Sequence, residues 1–266
     1  MPVINIPSGK LHVQELEGNS EDTVILIHGL FGNLSLYYFN IAPLLSENYR
    51  VLMYDLRGHG KNSKEESGYH LNQMTQDLEA LIDHYELEKV HLAGYSFGGL
   101  IALKMAMIAP EKIDKLMIID APDLSAISEE GFAQMYEREF ITPYMQQHAN
   151  AKEGAAAFIR KKVDKSISSY HFLTRETTLP VDLKMEENFF YHPDLKHITN
   201  DTLLLYARSS SFAEDGKTLS AILPSSSLKY LDGNHSMPMV SGRQVGLELS
   251  MFLRERSEQT LALEEQ

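Results

Sequence analysis

One segment constrains the fold of this chain more than any other: an apolar run that ends in a glycine-containing turn and continues directly as a helix. Residues 90–95, Val-His-Leu-Ala-Gly-Tyr, have the apolar and β-branched character of a buried strand. Residues 100–106, Leu-Ile-Ala-Leu-Lys-Met-Ala, predict a helix. Between them lie residues 94–98, Gly-Tyr-Ser-Phe-Gly, a G-x-S-x-G pattern. Because the chain must reverse within these few residues, we expect a strained turn that exposes the Ser96 hydroxyl at a helix N-terminus.

Strands and helices alternate on both sides of this turn. The continuous apolar run at residues 23–27, Thr-Val-Ile-Leu-Ile, is typical of a strand that is buried on both faces of a sheet. The same reasoning predicts strands over residues 3–6, 10–15, 49–54, 115–119, 202–207 and 228–231, and helices over residues 37–45, 72–85, 212–223 and 242–255. Such alternation predicts an α/β fold with a mostly parallel, doubly wound sheet.

The alternation stops at Asp123 and resumes after His197. The intervening residues are helix-like and carry many phenylalanine, tyrosine and methionine side chains. We therefore predict a core domain over residues 1–122 and 198–266, with a helical cap inserted over residues 123–197. A separate helical domain with its own core is the alternative, but the resumed alternation favours an insertion. Residues 257–266 are expected to form a polar tail.

Charge and composition limit the classes of partner. The formal net charge of −13 argues against a nucleic acid or an anionic membrane surface as a partner. With no cysteine in 266 residues, disulfides, thiolate metal sites and a cysteine nucleophile are excluded. No histidine or carboxylate spacing suggests a metal site, and no motif suggests a cofactor. The N-terminus lacks a signal-peptide pattern and no apolar run reaches the ~20 residues of a membrane span, so we expect a cytoplasmic protein.

Ser96 and His235 are candidate partners in nucleophilic catalysis. A serine at a helix start is often only an N-cap, but the strand–turn–helix context favours a nucleophile. A serine hydroxyl attacks only when a base takes its proton, and imidazole titrates near neutrality. His235 follows the last predicted strand in a Gly-Asn-His loop. The other histidines are expected to be ordinary surface or turn residues, with His28 orienting a loop by hydrogen bonding.

The order of four motifs resembles that of the α/β-hydrolase superfamily. They are His-Gly at residues 28–29, Asp-x-Arg-Gly-x-Gly at residues 55–60, the turn at residues 94–99 and Gly-Asn-His at residues 233–235. The segment at residues 28–33, His-Gly-Leu-Phe-Gly-Asn, looks most similar to that of the YbfF-type bacterial esterases and the related acyl-thioesterases. A menaquinone-pathway lyase of the same fold is also similar. The resemblance implies a structural role for residues 55–60.

The resemblance also implies an oxyanion hole built from two backbone amides. One is the amide of Phe97, which follows the nucleophile, and the other lies in the loop after the strand at residues 23–27. By analogy with the family, that second donor is the amide of Leu30, with Phe31 as the second choice.

The acidic residue departs from the usual pattern of the family. Most members carry an aspartate just after the penultimate core strand, whereas residues 208–212 here are Arg-Ser-Ser-Ser-Phe. Asp120 ends the strand that follows the nucleophile strand, and some relatives, YbfF-type esterases among them, keep their acid there. Both strand ends open onto the same edge of the sheet, so either position could reach one histidine. We favour Asp120, with Asp215 or Glu214 as alternatives, or no acid at all.

These residues predict a serine hydrolase that cleaves a small-molecule carboxylic ester or acyl thioester through an acyl-serine intermediate. A lyase that uses the same residues for proton abstraction and a ligand-binding regulator with a vestigial triad are alternatives. The basic cluster Arg160, Lys161, Lys162 and Lys165 could meet the phosphates of coenzyme A or of an acyl-carrier protein. A solvated helix face is the more ordinary interpretation of such a cluster.

Overall fold

The computed structural model describes residues 2–126, 134, 137–142, 146 and 153–255. Its centre is an eight-stranded sheet in the order β1-β2-β4-β3-β5-β6-β7-β8. The strands from β3 to β8 run parallel, whereas β1 and β2 add an antiparallel hairpin at one edge. The strands are β1 (Val3–Ile6), β2 (Gly9–Leu16), β3 (Thr23–Ile27), β4 (Arg50–Tyr54), β5 (Val90–Tyr95), β6 (Ile113–Ile119), β7 (Asp201–Ala207) and β8 (Ser226–Leu231). The predicted mostly parallel α/β sheet is confirmed.

The helices of the described residues connect these strands. They are α1 (Ser35–Tyr38), α2 (Ala42–Leu45), α3 (Leu71–His84), α4 (Phe97–Ile108), α5 (Glu153–Arg175), α6 (Leu179–Met185), α7 (Ala213–Ile222), α8 (Met237–Val240) and α9 (Gly242–Arg254). The single helix predicted over residues 37–45 is wrong, because α1 and α2 are separate. Pro43 lies in the first turn of α2, where a backbone amide has no acceptor within the helix, so its missing hydrogen costs no hydrogen bond. In the interior of one continuous helix from α1, the same proline would remove a hydrogen bond and clash with the preceding turn.

Each face of the sheet carries its own apolar layer, because successive side chains of a strand point to opposite faces. In β3, Ile25 and Ile27 pack in the layer that contains α3 and α4. Val24 and Leu26 pack in the opposite layer, with α2 and α9. All five residues of β3 are buried, which explains why the strand is apolar throughout rather than alternating.

The described part of the segment between β6 and β7 is helical and packs on the core. Phe172, Leu173 and Leu179 of α5 and α6 are buried in the same cluster as the α3 side of the sheet. The predicted cap over residues 123–197 lies only partly within the described residues, and its boundaries stay a prediction. The predicted tail at residues 257–266 lies outside them. No helix in the described part of the chain has the length and apolar character needed to cross a membrane.

Candidate active site

Ser96 occupies a strained turn between β5 and α4. Its backbone has φ 53° and ψ −124°, a conformation that non-glycine residues rarely adopt. Two neighbouring glycines make the turn sterically feasible. A Cβ atom on Gly94 would lie 2.2 Å from the Gly98 carbonyl oxygen, and one on Gly98 would lie 2.2 Å from the Ile27 carbonyl oxygen. The glycines of the G-x-S-x-G pattern are therefore required by close backbone approach.

The His235 imidazole lies beside the Ser96 hydroxyl. Its Nε2 atom is 3.1 Å from Ser96 Oγ, and its side chain is fully buried. The ring of Tyr95 lies 5.0 Å from the imidazole between centroids, and the ring of Phe212 meets it edge-on at 4.8 Å. The Tyr95 hydroxyl also donates a hydrogen bond of 2.7 Å to the His235 carbonyl oxygen. These contacts hold the imidazole in one orientation.

Asp120 lies on the other side of the imidazole, at the end of β6. Its Oδ2 atom is 2.7 Å from His235 Nδ1, and the residue is fully buried. The carboxylate also accepts hydrogen bonds from the Ala207 amide, at 3.0 Å, and from the Ser210 hydroxyl, at 2.5 Å. Three donors thus surround a buried carboxylate, which offsets the loss of its hydration.

These contacts fix the tautomer of His235. A carboxylate accepts hydrogen bonds only, so His235 Nδ1 carries the proton that is donated to Asp120. The Nε2 atom is then the acceptor that faces Ser96 Oγ. The arrangement is chemically able to take a proton from the hydroxyl and to stabilise the imidazolium that results.

Of the candidate acids, Asp120 lies behind the imidazole, whereas Glu214 and Asp215 contact other groups. Glu214 is exposed and pairs with Lys217 at 2.8 Å. Asp215 accepts a hydrogen bond of 2.8 Å from the Asp123 amide. Burial raises the pKa of Asp215 to about 6, the carboxylates around it act in the same direction, and the Asp123 amide opposes the shift.

Ser210 is a part of the site that the sequence did not reveal. It belongs to the serine run after β7, which the sequence marks only as lacking an acid. In the structure its hydroxyl donates to Asp120 and accepts from the Phe212 amide at 3.1 Å. The available signal in the sequence is its place after β7, where the family resemblance leads one to expect an acid.

The loop after β3 packs its backbone against Ser96. A Cβ atom on Gly29 would lie 2.8 Å from Ser96 Cβ and 3.4 Å from Ser96 Oγ. The Phe31 amide donates a hydrogen bond of 2.9 Å to His59 Nε2. Within the described residues, no protein acceptor meets the Leu30 amide. The amide of Phe97, in the first turn of α4, has no acceptor within its own helix.

Residues 55–60 tie this loop to the end of β4. Asp55 accepts hydrogen bonds from the Leu34 amide at 2.9 Å and from the Lys61 amide at 2.8 Å. His28 Nε2 accepts from the Leu56 amide at 2.9 Å, and its Nδ1 donates to the Gly29 carbonyl oxygen at 2.7 Å. Burial lowers the pKa of His28, although the nearby Asp55 carboxylate opposes this. The contact with the Leu56 amide requires a neutral ring, because a charged imidazole cannot accept a hydrogen bond.

Two further predictions concern bound groups. Among the described residues, no group of three or more histidine, cysteine, aspartate or glutamate side chains could hold a metal ion. In the basic cluster on α5, Lys161 and Lys165 are exposed. The side chains of Arg160 and Lys162 lie outside the described residues. The contact of this cluster with phosphates stays a prediction.

Comparison with known proteins points to one family. Residues 22–240 match the family model of the alpha/beta hydrolase fold. A putative esterase/lipase of Haemophilus influenzae is 35% identical over 156 residues, which cover 53% of this chain and 52% of that protein. The esterase YbfF of Escherichia coli is 27% identical over 157 residues, covering 54% of this chain and 59% of that protein. The chain thus spans about half the length of the curated relatives it matches.

Solved structures show the same fold. An esterase from Exiguobacterium antarcticum superimposes with a TM-score of 0.74 at 21% identity, covering 95% of this chain and 99% of that one. The similarity in sequence to the YbfF esterase agrees with the resemblance seen in the loop at residues 28–33.

Proposed function

The chain belongs to the α/β-hydrolase fold family, and on that premise we propose that it is a serine hydrolase that cleaves a carboxylic ester or thioester. The observation that carries the proposal is the contact of 3.1 Å between Ser96 Oγ and His235 Nε2, with the Asp120 carboxylate 2.7 Å behind the ring. The names of two relatives, a putative esterase/lipase and an esterase, support hydrolysis of esters.

In the first half of the reaction, Ser96 Oγ attacks the acyl carbonyl carbon while His235 Nε2 takes the hydroxyl proton. The carbonyl oxygen becomes an oxyanion, which accepts hydrogen bonds from the amides of Leu30 and Phe97. The imidazolium, paired with Asp120, then gives its proton to the departing alcohol or thiol. An acyl-serine ester remains.

Water completes the turnover. His235 takes a proton from a water molecule as that water attacks the acyl carbon, and the same two amides bind the second oxyanion. Collapse of this intermediate breaks the bond to Ser96 Oγ, which recovers its proton from the imidazolium. The substrates proposed are small esters and acyl thioesters, with coenzyme A or an acyl-carrier protein as the thiol carrier in the latter case.

The test is a panel of p-nitrophenyl esters of increasing chain length, run beside acyl-coenzyme A substrates. Ser96→Ala should reduce kcat by at least about 10³-fold on every substrate the parent hydrolyses. Ser168→Ala is the matched control, because Ser168 is an exposed serine of α5 whose hydroxyl donates to the Asp164 carbonyl oxygen of its own helix. Mass spectrometry of the quenched enzyme should find the acyl group on Ser96.

Equal turnover by Ser96→Ala and the parent would exclude this mechanism. Turnover of a substrate without any acyl-Ser96 adduct, even on rapid quenching, would favour a lyase that uses the same residues for proton abstraction.

A further inference from the structure

We propose that His59 is a positioning residue for the oxyanion hole: its imidazole holds the Phe31 amide, and so leaves the Leu30 amide as the donor to the substrate. The inference rests on the proposed function, because it assigns a task within the same reaction. It concerns a histidine that the sequence places in a structural turn, far from the G-x-S-x-G pattern.

The contact itself is direct. The Phe31 amide donates to His59 Nε2 at 2.9 Å, and His59 Nδ1 donates to the Arg57 carbonyl oxygen at 2.7 Å. The second bond places the ring proton on Nδ1, so Nε2 is free to accept. The imidazole therefore links the loop after β3 to the loop after β4.

The turn around His59 is shaped to bring the ring back to Phe31. Gly58 and Gly60, on either side, have φ values of 69° and 57°, in the left-handed region that favours glycine. A Cβ atom on Gly58 would lie 2.0 Å from the Tyr69 hydroxyl oxygen, and one on Gly60 would lie 2.1 Å from Asp55 Oδ2. Side chains at these two positions would displace the loop and the imidazole with it.

Phe31 needs such support because its own backbone is strained. Its φ of 63° is unfavourable for a bulky residue, and the conformation persists only where the surroundings hold it. The amide is held by His59, and the phenyl ring meets the Tyr170 ring of α5 edge-on at 4.9 Å. Leu30 lies directly before this fixed residue, so the direction of its amide depends on the conformation of Phe31.

The imidazole can accept only while it is neutral. Burial and the nearby His28 ring lower the pKa of His59 to about 3, while the Arg57 carbonyl oxygen and the Asp55 carboxylate oppose the shift. The contact with Phe31 is therefore present at every pH well above about 3.

The experiment compares two amide side chains of different reach. In His59→Gln the side-chain oxygen extends to about the place of Nε2, whereas in His59→Asn it is one methylene shorter and does not reach the Phe31 amide. The readouts are kcat and KM on the best p-nitrophenyl ester, and the inhibition constant of a trifluoromethyl ketone, whose adduct with Ser96 carries the oxyanion. Titration with a fluorophosphonate gives the concentration of competent sites, so a partly unfolded preparation does not distort kcat.

We expect His59→Asn to lower kcat by about 10- to 100-fold, which is less than the roughly 10²- to 10³-fold loss expected when a whole oxyanion donor is removed. KM should change by less than about threefold, and the affinity for the ketone should fall by the same factor as kcat. His59→Gln should recover most of the loss. His91→Asn, which removes another buried imidazole whose ring lies against Tyr49, should leave kcat unchanged.

A kcat and ketone affinity in His59→Asn equal to those of the parent, with Ser96→Ala inactive, would overturn the positioning role and leave the hydrolase standing. Equal losses in His59→Asn and His59→Gln would also overturn it, because the acceptor would then not matter. Full activity in Ser96→Ala would instead remove the proposed function and this inference together.

Discussion

Replacement of Asp120 by asparagine tests which carboxylate supports the imidazole. The substitution keeps the size of the side chain and removes its charge. Asparagine also tolerates the left-handed backbone of this position, where φ is 48°, so the fold should be retained. We expect kcat to fall steeply while KM changes little.

The size of the effect follows from the contacts. When His235 becomes an imidazolium, the charge of Asp120 lies one hydrogen bond away, since Oδ2 is 2.7 Å from Nδ1. Two charges about 4 Å apart attract by about 4 kcal/mol at an effective dielectric constant of about 20. Since about 1.4 kcal/mol corresponds to a factor of ten, the loss in kcat should be about 10³-fold. If the amide group of the new asparagine faces His235 Nδ1, the loss in kcat becomes larger. An amide donor at Nδ1 favours the tautomer in which Nε2 carries the proton and cannot accept one from Ser96.

The assay is steady-state hydrolysis of a p-nitrophenyl ester, with Asp215→Asn as the matched carboxylate control. Thermal unfolding of each variant checks that the fold is intact. We expect Asp215→Asn to stay within about threefold of the parent, because the Asp215 carboxylate bonds the Asp123 amide rather than His235 Nδ1. A large loss in Asp215→Asn together with normal turnover in Asp120→Asn would refute the reasoning.

Three further substitutions probe other contacts of the site. Gly29→Ala should lower kcat by at least about tenfold, because its methyl group would stand 2.8 Å from Ser96 Cβ; the same assay measures it. Ser210→Ala should lower kcat by about tenfold, since it removes one hydrogen bond that the Asp120 carboxylate accepts. Asp215→Asn should raise the free energy of unfolding by about 1–2 kcal/mol near pH 8 and leave it unchanged near pH 4. The sign follows from the pKa of Asp215, which is raised from 3.8 to about 6. Because the unfolded chain ionises at the lower value, the folded parent loses stability as pH rises from about 4 to about 6. Urea unfolding of the variant and the parent at the two pH values measures this effect. A difference in the free energy of unfolding that is the same at both pH values would contradict the prediction.

The sheet could be predicted from the sequence because its strands are buried on both faces. The predicted bounds of β3 agree with the structure, and those of β7 differ by one residue. The start of β8 is less visible, since its first residues are the polar Ser226 and Ser227 and most of the strand is only partly buried. The break between α1 and α2 is equally hard to see, because residues 37–45 keep a helical apolar pattern across it.

The residues of the site also differ in how visible they are in the sequence. Ser96 and His235 stand in short motifs with glycine neighbours, so local sequence marks them as candidates, and the structure brings them together with Asp120. Ser210 and His59 act through partners that lie 90 and 28 residues away along the chain. Serine and histidine are common in loops, and pairings over such distances leave no local pattern, so only the folded chain reveals these contacts.

The serine run after β7 and the aspartate after β6 depend on each other. A fully buried carboxylate such as that of Asp120 needs several donors to offset the loss of its hydration. The end of β7 supplies two of them, the Ala207 amide and the Ser210 hydroxyl, and Phe212 adds the ring that packs edge-on against His235. A second carboxylate at this strand end would place like charges together in a buried site, which is strongly unfavourable. The two donors at the end of β7 are therefore the contacts that compensate the Asp120 carboxylate for its lost hydration beside the imidazole.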